Sequence, residues 1–130
     1  MRPIVKRLLD PSRLRVLPKE GFSWIDRRFF RDGFVDALSS DEILLYLFLC
    51  SVADRYGLSF YRPESICRLV KLTEPLLEEA RSGLLESGLI RFEFPLYQVL
   101  ALPEFPPRLE RPLTEAGSMR SIGEILRELR

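Results

Sequence analysis

No histidine occurs among the 130 residues and only two cysteines do, and these scarcities remove most catalytic chemistry at once. Without an imidazole the side chain that titrates near neutral pH unaided, the commonest general base and the commonest metal ligand are all missing. Cys50 and Cys67 have sixteen residues between them and no second pair. Neither a zinc-ligand spacing nor a disulfide framework results, and both read as buried thiols in a reducing compartment. A glycine-rich phosphate loop is also missing, so no catalytic constellation can be assembled from the acids that remain. The expectation is a protein that is not an enzyme and needs no metal or cofactor.

Long apolar runs are missing too. The longest uncharged stretch, Ile43 to Ala53, is eleven residues, well short of the ~20 that span a bilayer. Arg2, Lys6 and Arg7 are followed by Asp10 and Pro11 rather than by the apolar core of a signal peptide, so a cytoplasmic protein with no membrane partner is expected. Strong charge of one sign is absent as well: the net charge is +1, but it is unevenly spread. Residues 1–38 carry nine Lys or Arg against five acids, residues 39–102 six against nine, and residues 103–130 five of each. The cations concentrate in the N-terminal arm, and the middle of the chain is mildly acidic.

What is present is 46% hydrophobic and 30% charged, enough for one ordinary core. The organising stretch is Pro63 to Leu102. Ile66, Leu69 and Val70 fall at i, i+3, i+4 behind Pro63, which is tolerated in a first helical turn. Thr73 is a good N-cap, Leu77, Ala80, Arg81 and Leu84 line one face of a second helix, and Gly88 stops it. After Gly88 the period changes from 3.6 to 2 through Ile90, Phe92 and Phe94. Pro95 then suits the second position of a turn, and Leu96 to Leu102 returns as a strand. Two helices, a tight turn and a hairpin predict a helix-turn-helix with a wing.

Upstream, Ser39 and Glu42 form a capping box, opening a helix whose Ile43–Ala53 stretch is apolar all round and so must be covered on several sides. Leu58 to Arg62 alternates as a short strand that would complete a three-stranded sheet with the hairpin. Gly21 to Leu38 holds Phe22, Trp24, Phe29, Phe30 and Phe34; leaving them unburied would cost about 1.5–3 kcal/mol each. Trp24 and the phenylalanines could stack on nucleobases, but beside an apolar helix they read as core, and Tyr46, Tyr56, Tyr61 and Tyr97 read as packing residues. Arg27, Arg28, Arg31, Asp26 and Asp32 are then expected on the outer face of this segment.

The run Leu38-Ser39-Ser40-Asp41-Glu42-Ile43-Leu44-Leu45-Tyr46-Leu47-Phe48-Leu49, followed later by Ala80-Arg81-Ser82-Gly83-Leu84-Leu85-Glu86-Ser87-Gly88-Leu89-Ile90, resembles the winged-helix domain at the front of plasmid replication initiators and related primosome-type proteins. The resemblance covers about residues 22–102 and is specific for the fold rather than the subfamily. It implies DNA binding with the second helix in the major groove, in the service of replication or transcription control on a plasmid or other mobile element. The chain departs from the pattern in having no large domain after the wing and only a short wing.

Charge complicates that implication. With Leu77, Ala80 and Leu84 turned inward, Glu78, Glu79 and Glu86 lie around the outer side of the second helix, a poor match for phosphate. Any DNA contact is therefore expected from Arg27, Arg28, Arg31, Arg68, Lys71, Arg81 and Arg91, outside that face. The alternative is a protein-interaction module in which Glu78, Glu79 and Glu86 meet a basic partner.

Pro103 to Pro112 has four prolines and predicts an extended spacer. Ser121 to Glu124 repeats the capping-box pattern, and Ile122, Ile125, Leu126 and Leu129 make the apolar stripe of a last short helix, which needs a docking surface. The expected organisation is α+β: a basic arm over 1–21, a winged helix-turn-helix over 22–102 with a three-helix core and a small antiparallel sheet, and a spacer with a C-terminal docking helix over 103–130. A homodimer, with arm or tail of one copy covering the other, is the expected assembly.

Overall fold

The computed structural model describes residues 3–106, so the expected C-terminal helix carrying Ile122, Ile125, Leu126 and Leu129 lies outside the described residues. Local signals set most of the element boundaries. The capping box forms: the Ser39 side chain accepts from Glu42 N–H at 3.2 Å, and Glu42 Oε1 accepts from Ser39 N–H at 2.7 Å. A helix of thirteen residues, Ser40–Val52, begins there. Thr73 caps the longest of the later helices through the Leu76 N–H, and Gly88 takes the positive φ that stops it.

In chain order the described α-helices are α1 (Arg28–Arg31), α2 (Ser40–Val52), α3 (Pro63–Val70) and α4 (Glu74–Glu86), and the strands are β1 (Leu58–Phe60), β2 (Ile90–Glu93) and β3 (Leu96–Val99). The sheet is antiparallel with order β1-β3-β2. Leu58 pairs with Gln98 on one side of β3, and Ile90 pairs with Val99 on the other. The result is an α+β domain in which helix, strand, helix, helix and hairpin succeed one another as the sequence predicts, compatible with a winged-helix-like layout.

The core lies where α2, α4 and the inner face of the sheet meet. Leu45 and Leu49 of α2, Leu77, Ala80 and Leu84 of α4, Ile66 of α3, and Ile90 and Tyr97 of the sheet are all buried. Phe29 joins them by stacking on Tyr46, with ring centroids 4.3 Å apart. α2 and α4 approach closely at Gly83, where a side-chain carbon would run into the buried Glu42 carboxylate. Glycine there is a requirement of helix contact, despite the helix propensity it gives up.

Several expectations change. α2 is not covered all round, because Leu44 is 42% exposed and Ser51 faces solvent. α3 buries Ile66 and Val70 but leaves Leu69 half exposed, since the helix ends at once in Lys71, which adopts a left-handed conformation and turns Leu72 inward instead. The Phe94–Pro95 bond is cis and the hairpin loop is those two residues, which puts Pro95 at the third turn position rather than the second. β1 is shorter than expected and turns Ser59 inward, with Phe60 outside. The largest departure is in the aromatic N-terminal segment. Phe29 and Phe34 are core, whereas Phe22, Trp24 and Phe30 are exposed; Phe29 is the ring that stacks on Tyr46. Every residue from Pro3 to Ile25 is exposed, with one short 3-10 turn over Pro11–Arg13.

Candidate nucleic-acid interface

Cations can meet phosphate only if the fold leaves them unspent, and that divides the seven expected contact residues. Arg81, on the flank of α4, is directed back onto the sheet. Its guanidinium donates to Tyr97 Oη at 3.1 Å and lies 4.5 Å from the Phe92 ring centroid, so it holds helix to hairpin. Arg28 is not on the outer face either. It donates to both Asp26 carboxylate oxygens, and it reaches across to the Pro103 carbonyl at 2.9 Å and the Leu102 carbonyl at 3.2 Å. The bond from Arg28 holds the Asp26 carboxyl below its usual range. Arg31 pairs with Asp32 at 2.8 Å and lowers that carboxyl in the same way.

Arg27, Arg68, Lys71 and Arg91 are exposed, and no side-chain hydrogen bond or ion pair occupies them among the described residues. They come from different elements. Arg68 sits in the last turn of α3, Lys71 at the α3–α4 turn, Arg91 on the edge strand β2, and Arg27 just before α1. Lys71 and Arg91 thus come after the end of α3 and the end of α4 respectively, one on either side of the second helix in the chain. The outer side of α4 is as the spacing predicts: Glu78, Glu79 and Glu86 are exposed, joined by Glu74, Leu76 and Leu85. The one cation of α4 itself, Arg81, is turned away from that exposed face.

A second feature lies beyond the helix pair. The segment from Phe22 to Arg28, the end of α2, the turn before β1 and the end of β3 enclose a cleft of about 560 Å³. Its position is fixed by backbone. Asp54 Oδ1 accepts from the N–H groups of Tyr56 and Leu58 at 2.8 and 2.9 Å. The Val99 N–H donates to the Gly57 carbonyl at 2.8 Å. Gly57 has φ +84°, and a Cβ there would stand 2.5 Å from the Val99 carbonyl oxygen, so only glycine allows this approach. Ser23 ties the incoming segment to α2 by donating to the Ser51 carbonyl at 2.9 Å.

Tyr46 and Cys50 form part of the cleft wall. Burial pushes the Tyr46 phenol well above its ordinary range, with the Cys50 thiol adding to the effect, and burial likewise pushes up the Cys50 thiol. Both stay protonated at neutral pH, so Cys50 is no thiolate nucleophile. The rim is different: Trp24 is 71% exposed, Tyr56 64% and Phe22 61%. The expectation that Trp24 and Tyr56 are packing residues is therefore overturned. The signal for this site was present as aromatic and cationic residues interleaved from Phe22 to Arg31, but the pattern alone did not say which rings would win the limited core volume.

Among the described residues there is no group of three or more side chains able to hold a metal ion, and no helix long and apolar enough to cross a membrane. Comparison of the chain with protein-family models, with curated proteins and with solved structures finds no match in any of the three.

Proposed function

We propose that the protein is a small, non-catalytic DNA-binding accessory or regulatory protein of winged-helix type, which contacts the duplex backbone through Arg27, Arg68, Lys71 and Arg91. The observation that carries this reading is the division of cations: three of the seven are engaged by other groups of the protein, and these four, Arg68, Lys71 and Arg91 on the α3–α4 pair and the hairpin and Arg27 before α1, are not. Backbone contact by Arg and Lys supplies most sequence-independent affinity. The acidic outer side of α4 argues against deep insertion of that helix, so binding is expected to depend more on salt than on base sequence. The resemblance of residues 38–49 and 80–90 to plasmid replication initiators extends the reading to replication or transcription control on a mobile element, which the genes neighbouring this one would check.

Duplex binding measured between about 50 and 200 mM salt tests the proposal, since the log–log slope falls by about 0.9 per phosphate neutralised. The variant Arg27→Ala/Arg68→Ala/Lys71→Ala/Arg91→Ala should bind at least tenfold more weakly with a slope flatter by about 3–4, while Arg31→Ala, already paired with Asp32, should bind as the wild type does. Absence of low-salt binding, or an unchanged slope in the fourfold variant, refutes it. A second reading is favoured by one feature, the exposed acidic face of α4 with Glu74, Glu78, Glu79 and Glu86: a protein module whose acidic helix meets a basic partner, with charge acting mainly on the association rate.

A further inference from the structure

We propose that the cleft rimmed by Phe22, Trp24 and Tyr56 takes an unpaired nucleobase, which gives the protein a site for single-stranded nucleic acid separate from the cations around α3 and α4. The inference rests on the nucleic-acid reading above and names a different ligand and a site that none of Arg68, Lys71 and Arg91 lines.

Three large aromatic side chains left in water on one rim are unfavourable unless something covers them, and here they border a single cleft rather than being scattered. Its volume of about 560 Å³ falls in the range of small-ligand sites, large enough for a heteroaromatic ring but not for a helix. The polar groups around it suit such a ring. Gln98, exposed on β3, offers an amide donor and acceptor to a nucleobase edge. The Arg55 guanidinium carbon lies 4.9 Å from the Tyr56 ring centroid, so a cation accompanies the aromatic rim, as in sites that stack bases and meet the adjoining phosphate.

The two carboxylates of the cleft do not oppose an anion strongly. Asp26 is neutralised by Arg28 at 2.8 Å, and one Asp54 oxygen is committed to two backbone N–H groups. The chain entering the cleft is the basic segment, with Lys6, Arg7, Arg13, Arg15 and Lys19 all exposed, which supplies an electrostatic track for a strand backbone. The same charge argues against the arm of a second copy as occupant, since that arm would bring its own cations onto Arg55.

Trp24 is the sole tryptophan, so its emission reports on the cleft directly. The full chain is titrated with oligothymidylate of about ten nucleotides, with an abasic strand of equal length, and with duplex DNA. The thymidylate strand should quench Trp24, whereas the abasic strand and the duplex should bind without comparable quenching. With a labelled thymidylate strand, Trp24→Ala and Tyr56→Ala should each lose about 5- to 150-fold in affinity, the range for one base–aromatic stack. Trp24→Phe should retain most of the binding, and duplex affinity should be unchanged in all three variants. Circular dichroism verifies that each is folded, as expected for exposed side chains.

Equal quenching by the abasic strand, no quenching by thymidylate, or equal loss of duplex and single-strand affinity overturns the proposal. So does Trp24 emission that changes with protein concentration alone, which would place a second copy in the cleft. If duplex binding persists and depends on Arg68, Lys71 and Arg91 while thymidylate leaves Trp24 unaffected, this inference fails and the function proposed above stands; if no nucleic acid binds, both fail.

Discussion

Lys71 is the single non-glycine residue with positive φ among the described residues, at φ 60° and ψ 46°. A left-handed conformation costs an L-residue about 1–2 kcal/mol, and the position closing a helix in this way is usually given to glycine or asparagine. The cost is offset here because the Lys71 N–H donates to the Cys67 carbonyl and Leu72 is then delivered to the core. A strained backbone at a lysine is the kind of outlier from which a functional hypothesis is drawn, and the proposed duplex contact supplies one. Lys71→Gly should therefore raise stability by about 0.5–1 kcal/mol, after allowing for the greater freedom of glycine in the unfolded chain. It should also weaken duplex binding and flatten its salt slope by about 0.9. Denaturant unfolding and salt-dependent binding on the same preparations check the two effects. A variant that is more stable and binds unchanged would remove Lys71 from the interface.

At the scale of elements, α4 has two faces made by different constraints. Its inner face must fit α2, and this fixes Gly83 opposite the buried Glu42 as well as Leu77, Ala80 and Leu84. On its outer face Glu78 and Glu79 are exposed, and exposed substitutions usually change stability by no more than about 0.5 kcal/mol. Glu78→Lys/Glu79→Lys should thus melt close to wild type. If the acids keep α4 out of the groove, the reversal should increase duplex affinity by at least tenfold at low salt and make it fall more steeply with added salt. Band-shift titrations at two salt concentrations measure this. An unchanged DNA affinity together with loss of a protein partner in a pull-down would instead favour the protein-interaction reading.

For the molecule as a whole, the N-terminal arm stands apart energetically from the packed domain. Pro3 to Glu20 bury no side chain, so they contribute little of the apolar burial that stabilises the domain. Deleting residues 1–20 should leave the melting transition within about 0.5 kcal/mol of the full chain. The deletion removes Arg2, Lys6, Arg7, Arg13, Arg15 and Lys19 while Arg68, Lys71 and Arg91 remain, so nucleic-acid binding should weaken without vanishing. The salt slope should flatten by about 0.9 for each arm cation that had met a phosphate. Calorimetry and binding isotherms on the two proteins decide the matter; a large drop in melting temperature would mean the arm packs on the domain after all.

The order of elements and most of their ends were legible from residue order alone, because those signals act within a few residues: Ser39 with Glu42, Thr73 with Leu76, Gly88 after Glu86, and the change of period at Ile90. So was the acidic outer side of α4, since the spacing of Leu77, Ala80 and Leu84 leaves Glu78, Glu79 and Glu86 nowhere else to go. The pairing of Arg31 with Asp32 and of Arg28 with Asp26 is local in the chain, but the longer reach of Arg28, the loss of Arg81 and which aromatics stay in water depended on tertiary packing. Arg28 finds its acceptor in Pro103, 75 residues away, and Arg81 finds Tyr97, 16 away. Phe29, rather than Trp24, fills the space against Tyr46. Competition for one small core volume and for a few distant carbonyl and hydroxyl groups is a property of the packed chain, and no local pattern carries it.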